Sequence, residues 1–327
     1  MVVAGIPRSG VGCCVCPSKS ASVQYFAIQE LRRSMTLWKN YFLPNSVADA
    51  LDLLSSADTP TCLIAGGTDL LLDLQQGRHA PVATLIDVTS IAEMTALEIR
   101  GERLFVGAAR PLNQIVAHPL VAEHAAALSE AAGLIGGPQV RNTATLGGNV
   151  SHALPAADGT IALLALDALA EVASQNMRQL VPLEELFLGP GKSILAERGE
   201  ILVGFHLPLR KAGQASAFQR VMRPQGVAIA ILNIAAWVAR SGNLISDIRL
   251  AVGPAGPTPF RARQSENALR GQPLTEKSLT AAKKALLGEA RFRTSPHRAT
   301  AEYRRQLSGI LLEETITTAW ERSFKGR

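Results

Sequence analysis

Two segments of this 327-residue chain set a glycine pair where a regular element would be expected to continue. One is LIAGGTDL, residues 63–70. The other is TATLGGNVSHA, residues 143–153, which runs on through LPAADG to residue 159. Glycine loses more backbone freedom on folding than any other residue, so a pair is unfavourable inside a helix or strand. It suits a backbone that must take a positive φ or let another group come very close. Successive amide N–H groups in such a turn make a concave anion site. The first segment also opens onto a helical pattern, DLLLDLQQG, whose N-terminal dipole favours phosphate. Thr68, Thr145 and Ser151 add hydroxyl donors. Asp69 would repel an anion if it faced inward; as the first helical residue it is expected to turn away and complement the dipole.

These features predict one phosphate-bearing ligand held from two sides. Competing motifs fail. No GxGxxG follows a strand. GPGKS at 189–193 is not a P-loop, because the motif's first glycine would have to stand at Leu186. There is no GxSxG elbow and no HExxH pair. His152 is a candidate base, although a lone histidine near a loop is more often a hydrogen-bonding residue.

Elsewhere the spacing predicts a capped helix after Ser46, strands at TCLIA (61–65) and ATLIDV (83–88), and a hairpin around Arg100-Gly101-Glu102. Residues 111–134 carry two helical patterns broken at His118-Pro119. TIALLALDALAEVAS is a helix running into a strand, and EILVGFHLPL is a strand. From about residue 213 three strands follow one another, SAFQRV, VAIAILNIAAWVAR and ISDIRLAVG, and then helices near 258–270, 275–287 and 298–321. Strands followed by helices argue for an α+β second domain, with the boundary near Ala212-Gly213.

The length suits two domains, and 47% apolar against 18% charged residues suits a sizeable core. The net charge is +6, but the basic residues are scattered and aromatics make up 5%, which argues against a nucleic-acid partner. The densest basic run (Arg291, Arg293, His297, Arg298, Arg304, Arg305) is expected on solvated helix faces or a partner surface. No apolar run is long enough to span a membrane. Cys13, Cys14, Cys16 and Cys62 fit unpaired thiols of a cytoplasmic protein better than a metal site. Residues 1–34 lack any period, so they are expected to be disordered or to precede a true start at Met35.

IAGGTDLL (64–71) and GGPQVRNTATLGGNVSHALPAADG (136–159) resemble the two flavin-binding signatures of the medium, FAD-binding subunit of molybdenum hydroxylases, the family of xanthine dehydrogenase and carbon monoxide dehydrogenase. YFLPNSVADALDLL (41–54) resembles the family's opening and HRATAEYRRQLSGILL (297–312) its closing helix. The likeness covers about residues 36–325. It implies an α+β fold: a p-cresol methylhydroxylase-type FAD domain of two α+β subdomains over 35–212, then a smaller α/β sandwich over 213–327.

By the same resemblance, Leu63, Ile64, Ala65, Gly66, Gly67, Thr68, Asp69 and Leu70 form the first FAD loop. Thr145, Leu146, Gly147, Gly148 and Asn149 form the second. Asp158 contacts FAD and Leu202 packs near the flavin ring. Where eukaryotic members carry a lysine beside the flavin, this chain has Gln219 and then Arg220, so Arg220 is the candidate for that charge. No residue of the chain is nominated as catalytic, and no metal ligand. The family places molybdopterin on a large partner subunit and 2Fe–2S clusters on a small one, in a dimer of heterotrimers. FAD passes electrons to NAD+, a quinone or oxygen. The Gly-Thr-Asp of the first loop favours the xanthine dehydrogenase type. A stand-alone flavin oxidase on the same fold is the runner-up, and a scaffold that has lost its flavin is a third reading that the intact glycine pairs oppose.

Overall fold

The structure is a computed structural model that describes residues 37–224 and 228–324. The expectations for residues 1–34, for a start at Met35 and for Cys13, Cys14 and Cys16 lie outside the described residues.

The first elements build a small parallel sheet. β1 (Asn40–Phe42), β2 (Thr61–Ile64) and β3 (Thr84–Asp87) lie in the order β1-β3-β2. The helix Val47–Ser55 leads from β1 to β2. Its Ser46 cap accepts the Asp49 N–H at 3.0 Å, and Val47, Ala50 and Leu51 face the core. After β2, the helix Leu70–Gln75 stops before Gly77, which takes φ +68° as a helix-terminating glycine should. The Tyr41 hydroxyl donates to Asp87 at 2.5 Å across the sheet; burial, reinforced by that carboxylate, pushes the phenol up to about 12.

A five-stranded antiparallel sheet follows. The expected hairpin is β4 (Leu97–Arg100) and β5 (Arg103–Gly107), turning at Gly101 with φ +60°. β6 (Leu169–Ala173) and β7 (Arg178–Pro182) pair at the other edge, and the short hairpin β8 (Phe187–Gly189) and β9 (Lys192–Ser193) stands apart. β10 (Ile201–Pro208) closes the order β4-β5-β10-β6-β7 from the centre. Residues 111–134 form three short helices rather than two: Leu112–Val116, Pro119–His124 and Ala126–Leu134. The extra break falls at fully buried Ala125 (φ −141°), where no proline or glycine marks it.

The C-terminal sheet is an antiparallel meander of β11 (Gln214–Val221), β12 (Leu232–Ser241), β13 (Leu244–Gly253) and β14 (Phe260–Arg261). Both faces are buried, so β12 reads as a nearly continuous apolar run. Its alternate residues Ile234, Ala236 and Val238 join Leu311, Leu312 and Ile316 of the long helix Ala301–Phe324 in a separate core. Its other face sets Ala235 beside Phe218 and Ala251, and these belong to the core of the preceding sheets. Among the described residues, no helix is long and apolar enough to cross a membrane.

One side chain ties the two cores together. Glu130, on the helix Ala126–Leu134, accepts the Phe218 N–H of edge strand β11 at 2.8 Å and meets Arg322 at 2.6 Å. Beside it the Ala127 N–H donates to Ser216 Oγ at 3.1 Å. Glu130→Ala leaves the Phe218 N–H without an acceptor, a loss of about 1–3 kcal/mol. Glu130→Gln keeps an oxygen there and should lose less. Urea unfolding followed by tryptophan fluorescence measures both, and two variants as stable as the parent would show that the joint does not depend on this bond.

Candidate functional site

β2 delivers the first glycine segment to the C-terminal end of the parallel sheet, the end at which such sheets take ligands. The two glycines have different tasks. Gly67 takes φ +66°, which turns the chain into the helix Leu70–Gln75. Gly66 is a matter of space, because a Cβ there would lie 2.1 Å from the Thr143 carbonyl oxygen. The first segment therefore rests directly on the chain entering the second. The N–H groups of Gly66, Gly67 and Thr68 find no acceptor among the described residues.

The second segment is not a loop. Thr145 caps a helix, Leu146–Ser151, by accepting the Gly148 N–H on Oγ1 at 3.1 Å. Neither Gly147 nor Gly148 takes a positive φ. Gly147 donates to the Ala108 carbonyl at 2.8 Å, and a Cβ on it would lie 2.6 Å from the oxygen and Cβ of Ala108. Gly147 is needed for close packing against the chain leaving β5, whereas a Cβ on Gly148 would meet only Thr145 Oγ1, at 3.1 Å. The amides of both glycines are satisfied within the protein, so the concave set of free donors belongs to the first segment.

The two segments border a cleft of two lobes that share Leu63, Ile64, Ala65, Leu70, Gly148 and Ser151. The larger, about 500 Å³, is also lined by Gly66, Gly67, Thr68, Asp69, Ile135, Val140, Thr145, Asn149, His152, Asp158, Arg220 and Ile229. The smaller, about 350 Å³, is also lined by Cys62, Met94, Ala108, Gly147, Leu195 and Leu202. Nearly every residue nominated from the sequence thus borders one cleft. Leu146 is the exception, fully buried beneath it in the core. Leu202 and Arg220, both expected beside a flavin ring, line different lobes. Asp69 is exposed at the cleft edge and makes no side-chain cap to its helix.

Asp158 begins the helix Asp158–Ala165, every residue of which is buried. Its carboxylate forms an ion pair with Arg220 of β11 and accepts from Asn233 Nδ2 of β12 at 2.6 Å. Burial pushes the Asp158 carboxyl up, and the Arg220 charge with the hydrogen bonds from Asn233 and Arg220 opposes this without overcoming it. Asn233 also donates to the Ala156 carbonyl at 3.1 Å. It was not singled out in the sequence, although a lone amide inside the apolar run AILNIAAWVA is the signal of a buried polar contact. Three side-chain atoms around the site stay buried without a partner among the described residues: Asn149 Oδ1, Arg220 Nε and Asn233 Oδ1.

Removing one member of a buried ion pair strands the other. Asp158→Ala should destabilise the protein by about 3–5 kcal/mol, and Asp158→Leu combined with Arg220→Met should recover much of that loss. Denaturant unfolding of the three proteins decides it; equal loss in the single and double variants would mean that the charge of Arg220 is not what Asp158 compensates.

Comparison with known proteins agrees with this geometry. Residues 33–210 match the family described as the FAD binding domain in molybdopterin dehydrogenase, and residues 216–319 match the CO dehydrogenase flavoprotein C-terminal domain. The chain is 33% identical over 283 residues to the xanthine dehydrogenase FAD-binding subunit of Escherichia coli O157:H7, covering 86% of this chain and 95% of that one. It is 34% identical over 284 residues to the nicotine 6-hydroxylase medium subunit of Paenarthrobacter nicotinovorans, covering 86% and 98%. Its fold matches carbon monoxide dehydrogenase from Hydrogenophaga pseudoflava with a TM-score of 0.82 at 30% identity, over 87% of this chain and 98% of the other. With both parts of the chain matched and the two glycine segments meeting on one cleft, the protein belongs to the FAD-binding subunits of the molybdenum hydroxylases, the flavoprotein components of multi-subunit oxidoreductases.

Proposed function

We propose that one FAD lies across the first glycine segment with its two ends in the two lobes, and that the chain passes electrons from the 2Fe–2S clusters of a small partner subunit to NAD+, a quinone or oxygen. The observation that carries this is the row of unpaired N–H groups at Gly66, Gly67 and Thr68, set beside residues shared by both lobes. A pyrophosphate is the part of FAD that such donors suit. The smaller lobe, with Leu202, Leu195 and Met94, takes the adenosine end. The larger lobe takes the ring, among Ile135, Val140 and Ile229, with Asn149 and Arg220 as its polar contacts. That arrangement puts Leu202 beside the nucleotide rather than the flavin.

When bound, the flavin supplies the redox chemistry and accepts electrons singly or in pairs. The residues of this chain bind and tune it. Asn149 Oδ1 offers an unused acceptor. Arg220 sets a positive charge where reduction adds electrons, although Asp158 neutralises part of it. Partners are a large molybdopterin-binding subunit and a small iron–sulfur subunit, in a dimer of heterotrimers; that relatives are a medium subunit and a medium chain supports the presence of a larger and a smaller companion. The substrate pocket then lies on the large subunit, and the Gly-Thr-Asp of the first loop favours the xanthine dehydrogenase type.

The purified chain should bind FAD one to one, read by quenching of flavin fluorescence. Gly66→Ala should abolish binding, because its new methyl group collides with the Thr143 carbonyl. Asn149→Ala should weaken binding on the order of tenfold, the effect of one lost hydrogen bond. Parental affinity in Gly66→Ala would show that the cradle is elsewhere. A native pull-down should bring a large molybdopterin protein and a small cysteine-rich one. If the FAD-loaded chain instead oxidised an organic substrate by itself, a stand-alone oxidase would replace the electron-transfer reading.

A further inference from the structure

The basic run near the C-terminus does not all lie on a solvated face. Arg304, in the second turn of the helix Ala301–Phe324, is 1% exposed. Its Nε and Nη1 have no hydrogen-bond partner among the described residues. Arg220 and Arg261, whose side chains are 5% and 11% exposed, each hold a carboxylate, Asp158 and Glu266 respectively. The charges acting on Arg304 are instead those of Arg298 and Arg293, and burial with this repulsion pushes its pKa down. Half-buried Arg298 is lowered in the same way, by burial and by Arg293.

Local structure brings the backbone of the three arginines to the start of the closing helix. Ser295 N–H bonds the Ala299 carbonyl at 2.9 Å, and this turn folds Arg298 back toward the helix start. Thr294 Oγ1 and Thr300 Oγ1 accept the N–H groups of Ala301 and Tyr303, both at 3.1 Å, and so fix the first turn. The positive end of a 24-residue helix adds to the same field. Like charges gathered in a partly desolvated place are unfavourable unless an anion joins them.

We propose that Arg293, Arg298 and Arg304 form a binding site for a phosphate-class oxyanion at the start of the closing helix. Three positive charges exceed what a single carboxylate neutralises, and the guanidinium fork matches the oxygens of a tetrahedral anion. Exposed Arg293 and half-buried Arg298 form the entrance, and buried Arg304 the floor. Among the described residues none beyond Ile229 borders the FAD cleft, so the two sites are separate.

Inorganic phosphate is titrated into the full chain at constant ionic strength with chloride as the balancing salt, and thermal unfolding is followed. The midpoint should rise saturably, on the order of 3–5 °C at ten times the dissociation constant. Arg298→Gln and Arg304→Met should each remove the rise, while Arg305→Gln, an exposed neighbour, should keep it. Arg298→Gln is a surface change, so it reads the site even if Arg304→Met folds poorly. No rise in the parent, or an undiminished rise in Arg298→Gln, as phosphate held on the first glycine segment would give, overturns the proposal.

Discussion

The contact between Gly66 and the Thr143 carbonyl sets the rest of the site. With 2.1 Å between that oxygen and an imagined Cβ, no other residue fits at position 66 without moving backbone. The parallel sheet is thereby held against the chain that enters the helix Leu146–Ser151. Gly147 repeats the constraint on the far side, where Ala108, just past β5, lies against the same helix. Two missing side chains thus bring a parallel sheet, a helix and an antiparallel sheet to one place. The cleft is the space left between them. Its donors follow from the same packing: Gly147 and Gly148 use their N–H groups to hold the helix in position, so only the first segment keeps donors free for a ligand.

A second tie is electrostatic. Asp158 starts a helix of the FAD domain, whereas Arg220 and Asn233 come from two adjacent strands of the C-terminal sheet. A buried ion pair gives little net stability, because desolvation offsets most of the attraction, but a misplaced partner is heavily penalised. The pair therefore fixes how the C-terminal sheet sits on the FAD domain, and Glu130 does the same from the helix Ala126–Leu134. Both ties touch β11, the strand that carries Arg220 to the cleft. The wall that C-terminal residues add to the larger lobe depends on them.

Much of this was legible in the sequence where a local rule has one outcome. Leu97, Ile99, Leu104 and Val106 alternate about Arg100-Gly101-Glu102, and the hairpin forms there. Ser46 sits three residues before Asp49, and the cap forms. The glycine segments were recognisable as tight backbone beside a ligand, but not by which means. A glycine pair supports either a positive φ or a close approach, and spacing does not distinguish them. Gly67 uses the first, whereas Gly66 and Gly147 use the second, so a segment expected to be a loop became a capped helix. The break at Ala125 had no local signal at all, since alanine favours the helix it interrupts. The separation of Leu202 from Arg220 depends on which strand ends face which lobe, and that is decided only when the sheets assemble.

Arginine shows the same limit in its clearest form. Composition treats Arg220, Arg261 and Arg304 alike, as charges that belong on a surface. The fold covers most of each side chain, two of them against carboxylates that lie 62 and 5 residues away along the chain. For Arg261 the partner Glu266 lies close in sequence, across the turn from β14 into the helix Arg263–Leu269. For Arg220 the partner was visible only as a separate candidate for the same cofactor. Asp158 and Arg220, nominated independently as cofactor contacts, turn out to be partners of each other. The carboxylate cannot serve as a free base while it holds the guanidinium, and the guanidinium cannot present its full charge to the cleft. Together they form a dipole anchored across the domain joint, whose strength depends on how firmly β11 is held.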